Sequence, residues 1–342
     1  MNGVKRMVLA ITWVAAILAA LPASAQTDPV ADFYRGKTVR VIVGYGPGGS
    51  YDLYGRLAAE FLGRHIPGNP AVIPVNMPGA GGFKAVEYLY TVAPQDGTHL
   101  GSVAQQLAMT LLADDKTAID PTRFNYLGRL TSMIDVAVAL PKSGITSFAD
   151  ARKREITVGA GQASSTSALY ARALNAYAGS RFKIITGYSG TAEIQLAVER
   201  GEVDVNGGES LPTIIVQNPE WLQGKAVLLY QNGLKRYSQL PQVPTMTELS
   251  TSDEGRKVMG VLAGTAEVGR SIITTPGVPE ARLTALRVAF QDMLKDPEFL
   301  AATAKRNLMI DAARGEDLDA INRETMNLPK PTVEALRKLL KE

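Results

Sequence analysis

The chain has 342 residues, no cysteine, and a formal charge of +3 from 36 basic and 33 acidic side chains. The missing cysteine excludes a disulfide framework, thiolate metal sites, a cysteine nucleophile and a lipid-modified N-terminal cysteine. The length suggests two lobes, and charge this small and dispersed offers no concentrated basic patch for nucleic acid or an anionic membrane.

Residues 1–25 read as a cleaved signal peptide. Lys5 and Arg6 precede an apolar run from Met7 to Leu21, followed by Ala23-Ser24-Ala25. The run is shorter than the ~20 residues that span a bilayer, so an export signal is favoured over a retained anchor. Cleavage leaves a net charge of about +1. An exported, soluble mature protein is expected.

From Thr38 onward, short β-branched runs alternate with amphipathic stretches. Strands are expected at 39–44, 71–75, 99–103, 156–159, 182–186, 203–206 and 226–230. Helices are expected at 51–64, 83–92, 105–113, 167–178, 192–200, 280–295, 297–306 and 332–340. In the first helix Leu53, Leu57 and Phe61, flanked by Tyr54, Ala58 and Leu62, form a stripe of helical period. This alternation predicts an α/β chain, each lobe a mostly parallel sheet flanked by helices, with a ligand cleft between the lobes. Leu53-Tyr54-Gly55-Arg56 returns as Leu169-Tyr170-Ala171-Arg172, an offset of 116. Together with the matching order of elements, the offset favours two similar lobes over chance. The expected division is 26–134 for the start of lobe 1, 135–232 for lobe 2, and 233–342, mostly helical, returning to lobe 1.

Glycine-rich turns close the expected strands at 45–50 and 76–82 in the first lobe and at 160–166 and 187–191 in the second. In open α/β sheets, ligands sit beyond the carboxyl ends of the strands, where helix N-termini present bare N–H groups to an anion. The candidate ligand-binding residues are therefore Tyr45, Gly46, Pro47, Gly48, Gly49, Ser50, Asp52 and Gln105 from the first lobe. From the second come Gly161, Gln162, Ser164, Ser165, Thr166, Tyr188, Ser189, Gly190 and Glu209. Tyr45 and Tyr188 sit in turns, where a ring has little to pack against except the other lobe or a ligand. Tyr54 reads as core, and Asp52 as a first-turn or capping residue. Glu193, Glu199 and Glu202 read as a solvated face, and Glu209 as an acid near the cleft. No arginine lies in these turns.

Other chemistry fits poorly. Gly44, Gly46 and Gly49 have dinucleotide-loop spacing, but Pro47 removes an N–H and the next strand ends at Asn76-Met77 with no acid for a ribose. The two histidines, His65 and His99, lack partners at metal-ligand spacing and read as structural. Ser164, Ser165, Thr166 and Ser167 form a hydroxyl cluster without an evident base, so they read as caps and ligand donors, with a serine nucleophile as the rival.

Gly48-Gly49-Ser50-Tyr51-Asp52, Met77-Pro78-Gly79-Ala80-Gly81-Gly82 and Gln95-Asp96-Gly97-Thr98 resemble the extracytoplasmic receptors of tripartite tricarboxylate transporters, the Bug-type family. The likeness continues in Gly187-Tyr188-Ser189-Gly190-Thr191 and Pro241-Gln242-Val243-Pro244-Thr245, and spans about 34–323. It implies a two-lobed periplasmic binding protein of type II-like architecture that closes about a hinge. It further implies a small carboxylate ligand held by backbone amides of 45–50 and 160–166, with 188–190 beside them. The partners it implies are the membrane subunits of an ion-coupled secondary transporter, without ATP. A monomer without a cofactor or metal is expected. The chain departs from the pattern at Pro47, at Gln162-Ala163-Ser164-Ser165 and at Glu209; the last leaves open an amine, hydroxyl or protonated group on the ligand. A periplasmic hydrolase on the same scaffold and a ligand sensor are the alternative readings.

Overall fold

The computed structural model describes residues 28–113, 117–161, 165–188 and 191–341. The expected signal peptide lies outside them. No helix among the described residues is long and apolar enough to cross a membrane.

The first sheet grows around β1 (Thr38–Val43). Its alternation explains its central place: Val39, Val41 and Val43 join the core under helix Ser50–Leu62, while Ile42 joins Ala85, Val86 and Leu89 of helix Phe83–Thr91 on the other face. A strand buried on both faces can be apolar throughout. Strands β2 (Ala71–Asn76) and β3 (His99–Ser102) pair with it in parallel, and their ends align: Val43 stands opposite both Asn76 and Ser102. That register brings the turns after all three strands to one rim.

Strand β4 (Tyr126–Thr131) belongs to the first sheet, and β5 (Asp135–Ala139), after three intervening residues, to the second. The second sheet also holds β6 (Ile156–Gly159), β7 (Phe182–Ile185), β8 (Val205–Ser210) and β9 (Val227–Asn232). Its order is β7-β6-β8-β5-β9, with Gly159 opposite both Ile185 and Asn206. The chain returns through helix Asp253–Val268 to β10 (Arg270–Thr274), and β11 (Ala313–Arg314) completes the order β11-β4-β10-β3-β1-β2.

Both sheets are mixed. The parallel part is confined to β2-β1-β3 and β7-β6-β8, and every other pairing between these strands is antiparallel. The antiparallel strands include β4, β5 and β10, which carry the chain between lobes and which the sequence reading missed. Where the two crossovers touch, Gly269 has φ +50° and any Cβ would collide with the Thr131 carbonyl oxygen. Met133 N–H donates to the Ala266 carbonyl at 3.0 Å, tying one crossover to the other.

The offset of 116 coincides with matched elements: helices Ser50–Leu62 and Thr166–Ala178 are each 13 residues long and start and stop at that offset. Tyr54 and Tyr170 are buried in both. Leu53 breaks the expected stripe; it is 43% exposed, while Leu57 and Phe61 are core. Residues 233–342 divide between the lobes. Leu283, Leu286, Phe290 and Phe299 pack in the first core, but Met246, Val258, Met259 and Leu262 join the second. So do Leu336 and Leu339 of helix Lys330–Lys341, whose apolar stripe meets helix Thr166–Ala178 rather than the first sheet.

Candidate functional site

In the first lobe, the turn after β1 is built around one carboxylate. Asp52 is 2% exposed; its Oδ2 accepts from Gly48 N–H and Arg56 Nε, both at 2.8 Å, and its Oδ1 accepts from Asn76 Nδ2 at 2.7 Å. Asn76 Nδ2 also donates to the Tyr45 carbonyl at 2.9 Å. Burial opposes ionisation, yet these hydrogen bonds and the Arg56 charge together hold the Asp52 carboxyl down at about 2. Both oxygens are occupied beneath the turn. Asp52 thus fixes the loop and ties it to the end of β2, in place of the expected contact with ligand.

Gly48 needs its φ of +87°, while Gly49 caps helix Ser50–Leu62 with an ordinary extended backbone and no side-chain cap. The first-turn N–H groups are therefore not claimed by a capping side chain. Pro47, Gly48 and Gly49 are exposed, and Gly46 and Ser50 are half-buried.

Tyr45 does have a partner. Its ring stacks on Tyr51 at 4.3 Å and 12°, and its hydroxyl donates to the Gly81 carbonyl at 3.0 Å. The turn after β1 thus leans on the turn before helix Phe83–Thr91. The Arg270 guanidinium lies 3.8 Å from the Tyr51 ring centroid. Its Nε donates to Ser50 Oγ at 2.8 Å and its Nη1 to Gln105 Oε1 at 2.6 Å, while Gln105 N–H donates to the Tyr51 hydroxyl at 2.9 Å. Arg270 is 8% exposed, and both of these hydrogen-bond partners are neutral. It is the residue the sequence reading missed, because it reaches the turn from β10, 220 positions away.

In the second lobe, Ser165 caps helix Thr166–Ala178, its hydroxyl accepting from Ala168 N–H and lying 3.2 Å from Ser167 Oγ. The capping role expected of the hydroxyl cluster is present. Gly187 N–H donates to the Gly161 carbonyl at 2.8 Å, which joins the two turns. Tyr188 packs against Ala197, Val198 and Val203, so its ring too has a partner within its own lobe. Gln162, Ser164, Ser189 and Gly190 lie outside the described residues.

A cavity of 270 Å³ opens between the lobes. Gly81, Gly82 and Phe83 wall it on one side and Thr166, Leu169 and Tyr170 on the other. Of the candidate ligand residues, Thr166 lines it, and Tyr45 adjoins through Gly81 and Gly82. Glu209 does not line it. That carboxylate is 4% exposed, accepts from Asn206 Nδ2 and Ser210 N–H, and faces a separate groove with Thr191, Gln195 and Thr213. Burial raises its pKa.

A buried polar chain stands at the crossover. Tyr170 hydroxyl donates to Asp135 Oδ2 at 3.0 Å, and Asn232 Nδ2 donates to the Tyr170 hydroxyl at 2.7 Å and to the Leu262 carbonyl at 3.2 Å. Burial pushes the Asp135 carboxyl up to about 7, with the Tyr170 hydrogen bond and the Arg270 charge opposing and the Glu209 charge adding. The histidines are structural, as expected. His65 Nε2 lies 3.0 Å from Asp296 Oδ2, and buried His99 pairs with Thr98. Glu193, Glu199 and Glu202 are exposed, and Tyr54 is core.

Residues 56–337 match the family described as the tripartite tricarboxylate transporter family receptor. The chain belongs to this family. The match runs from within helix Ser50–Leu62 to within the last helix, taking in the second sheet and every strand of the first except β1. A protein of the gbd 5′ region in Cupriavidus necator is 28% identical over 330 residues, covering 93% of this chain and 92% of that protein. The crystal structure of a TctC solute-binding protein from Polaromonas, without ligand, aligns with TM-score 0.68 at 21% identity over 90% of this chain and 99% of that one. MatC from Rhodopseudomonas palustris, solved with malate, aligns with TM-score 0.58 at 19% identity over 89% and 99%. The structural likenesses establish that the receptor has the two-lobed periplasmic binding protein fold.

Proposed function

We propose that this receptor captures a small organic carboxylate between its lobes, closes about the β4–β5 and β10 crossovers, and delivers the ligand unchanged to the membrane subunits of an ion-coupled secondary transporter. It works in the periplasm, after export on the 1–25 leader, as a monomer without cofactor or metal. One observation carries the reading: an uncapped helix N-terminus at Ser50 is buttressed by a buried arginine, and Tyr45 in the turn before it contacts Gly81 and Gly82, which wall a cavity whose far side includes the start of a second helix. The malate seen in MatC is consistent with it.

The magnitudes suffice. Micromolar affinity requires about −8 kcal/mol. Two helix ends contribute ~1 kcal/mol each, and charge-assisted hydrogen bonds on the order of 1.5–3 kcal/mol each. Three or four such donors reach the required range once closure excludes water. Arg270 adds its field without contacting the anion, since its guanidinium lies under Tyr51 and Ser50.

Calorimetric titration of the mature protein with a panel of mono-, di- and tricarboxylates tests the proposal. At least one acid binds at micromolar concentration or below, and mass spectrometry recovers it intact after overnight incubation. Failure of every acid to bind, or appearance of a new product, overturns the receptor reading.

A further inference from the structure

The cavity between the lobes carries more information than its position. Its walls include Phe83, Met109, Leu169, Leu262 and Leu340, and no charged side chain lines it. Two of its polar groups are already engaged inward: the Tyr170 hydroxyl donates to Asp135, and the Thr265 hydroxyl donates to the Leu262 carbonyl at 2.7 Å. Arg270 does not line it and is held against Ser50 and Gln105 beside the first glycine turn. One part of the cleft therefore suits an anion, and the space beside it suits apolar matter.

From this asymmetry we infer that the ligand is a monocarboxylate with an apolar body, the body occupying the cavity and the carboxylate lying at the glycine turns. The inference rests on the proposed receptor function and narrows its substrate class. With the helix starts at Ser50 and Thr166 engaged by the first carboxylate, a second or third would enter a space with no cation to meet it, and an ionised group buried without a partner carries a heavy desolvation cost. An apolar body meets the opposite conditions. Phe83 and Tyr170 offer ring surfaces and Met109 a polarisable thioether that adapts to the shape presented. The volume of 270 Å³ sits just below the range of about 300–1,000 Å³ typical of small-molecule sites, which favours a single ring or a short branched chain. Leu340 comes from helix Lys330–Lys341, the element the sequence reading assigned to the first lobe. By packing on the second core it closes one side of the cavity.

Calorimetry on the mature protein with benzoate and 4-methylpentanoate against succinate and citrate tests the inference. At least one apolar acid binds tenfold or more tightly than both polar acids. Leu340→Glu places a carboxylate at the half-buried end of the cavity wall; it weakens the preferred apolar acid at least tenfold while the melting temperature stays within the error of the wild type. A smaller margin, a preference for succinate or citrate, or an unaltered affinity in Leu340→Glu overturns the inference while leaving a carboxylate receptor standing. Failure of all four acids to bind overturns this inference, and only failure of the whole carboxylate panel removes the receptor reading with it.

Discussion

Gly49→Val folds and loses its ligand. The backbone at Gly49 has φ −77° and ψ 167°, which valine adopts freely, and an added Cβ would meet only the Gly46 carbonyl oxygen at 4.0 Å. Valine is a poor cap, so the melting temperature falls by roughly 2–4 °C, equivalent to about 1 kcal/mol. Binding suffers far more. The branched side chain stands over the N–H groups that open helix Ser50–Leu62 and blocks approach of a carboxylate. Loss of one to two charge-assisted hydrogen bonds, on the order of 3 kcal/mol, weakens affinity at least a hundredfold. Gly48→Val provides the contrast: at φ +87° the substitution strains the turn itself, so stability and binding fall together. Calorimetry and thermal melts on both variants separate the effects, and undiminished affinity in Gly49→Val contradicts the site.

Asp135→Asn stabilises the protein at alkaline pH and has little effect in acid. Burial raises the Asp135 pKa from 3.8 to about 7. Between those values the folded state holds a proton that the unfolded chain releases, so this group's contribution is full below pH 4 and is lost as pH climbs through 7. Asparagine keeps an acceptor for the Tyr170 hydroxyl without a charge to bury. The variant's advantage over wild type therefore grows from near zero at pH 4 to its maximum above pH 7. A shift of this size corresponds to about 4 kcal/mol, or roughly 5–10 °C in melting temperature. Paired melts from pH 4 to 8 check it; a difference independent of pH contradicts the burial of the charged form.

The parallel core and its turns were legible because their determinants are local. A β-branched run followed by glycines and an amphipathic stripe marks β1 and helix Ser50–Leu62 without reference to the rest of the chain. The crossover strands were not. In β4, Gly128 and Arg129 interrupt the apolar pattern, and Arg129 is buried there because Glu267 at 2.7 Å and Asp311 at 3.2 Å meet its charge from far along the chain. In β10 the strand opens on Arg270, whose burial depends on Ser50, Tyr51 and Gln105.

The candidate site divides in the same way. Its turns followed from glycine spacing, whereas the roles inside them depended on three-dimensional partners. Asp52 holds the loop because Asn76 is placed opposite Val43 by strand register. Tyr45 stacks on Tyr51 because the turn folds back over the first helical residues. Glu209 faces a second-lobe groove because β8 continues past Asn206 to Ser210 and ends beside helix Leu211–Gln217.

A crystal structure of the protein with its preferred acid bound tests the central claim most directly. The account predicts one carboxylate within about 3.2 Å of main-chain N–H groups at the start of helix Ser50–Leu62, with the start of helix Thr166–Ala178 closing from the other lobe. An acid seated in the groove beside Glu209, or held by side chains alone away from both helix starts, contradicts it.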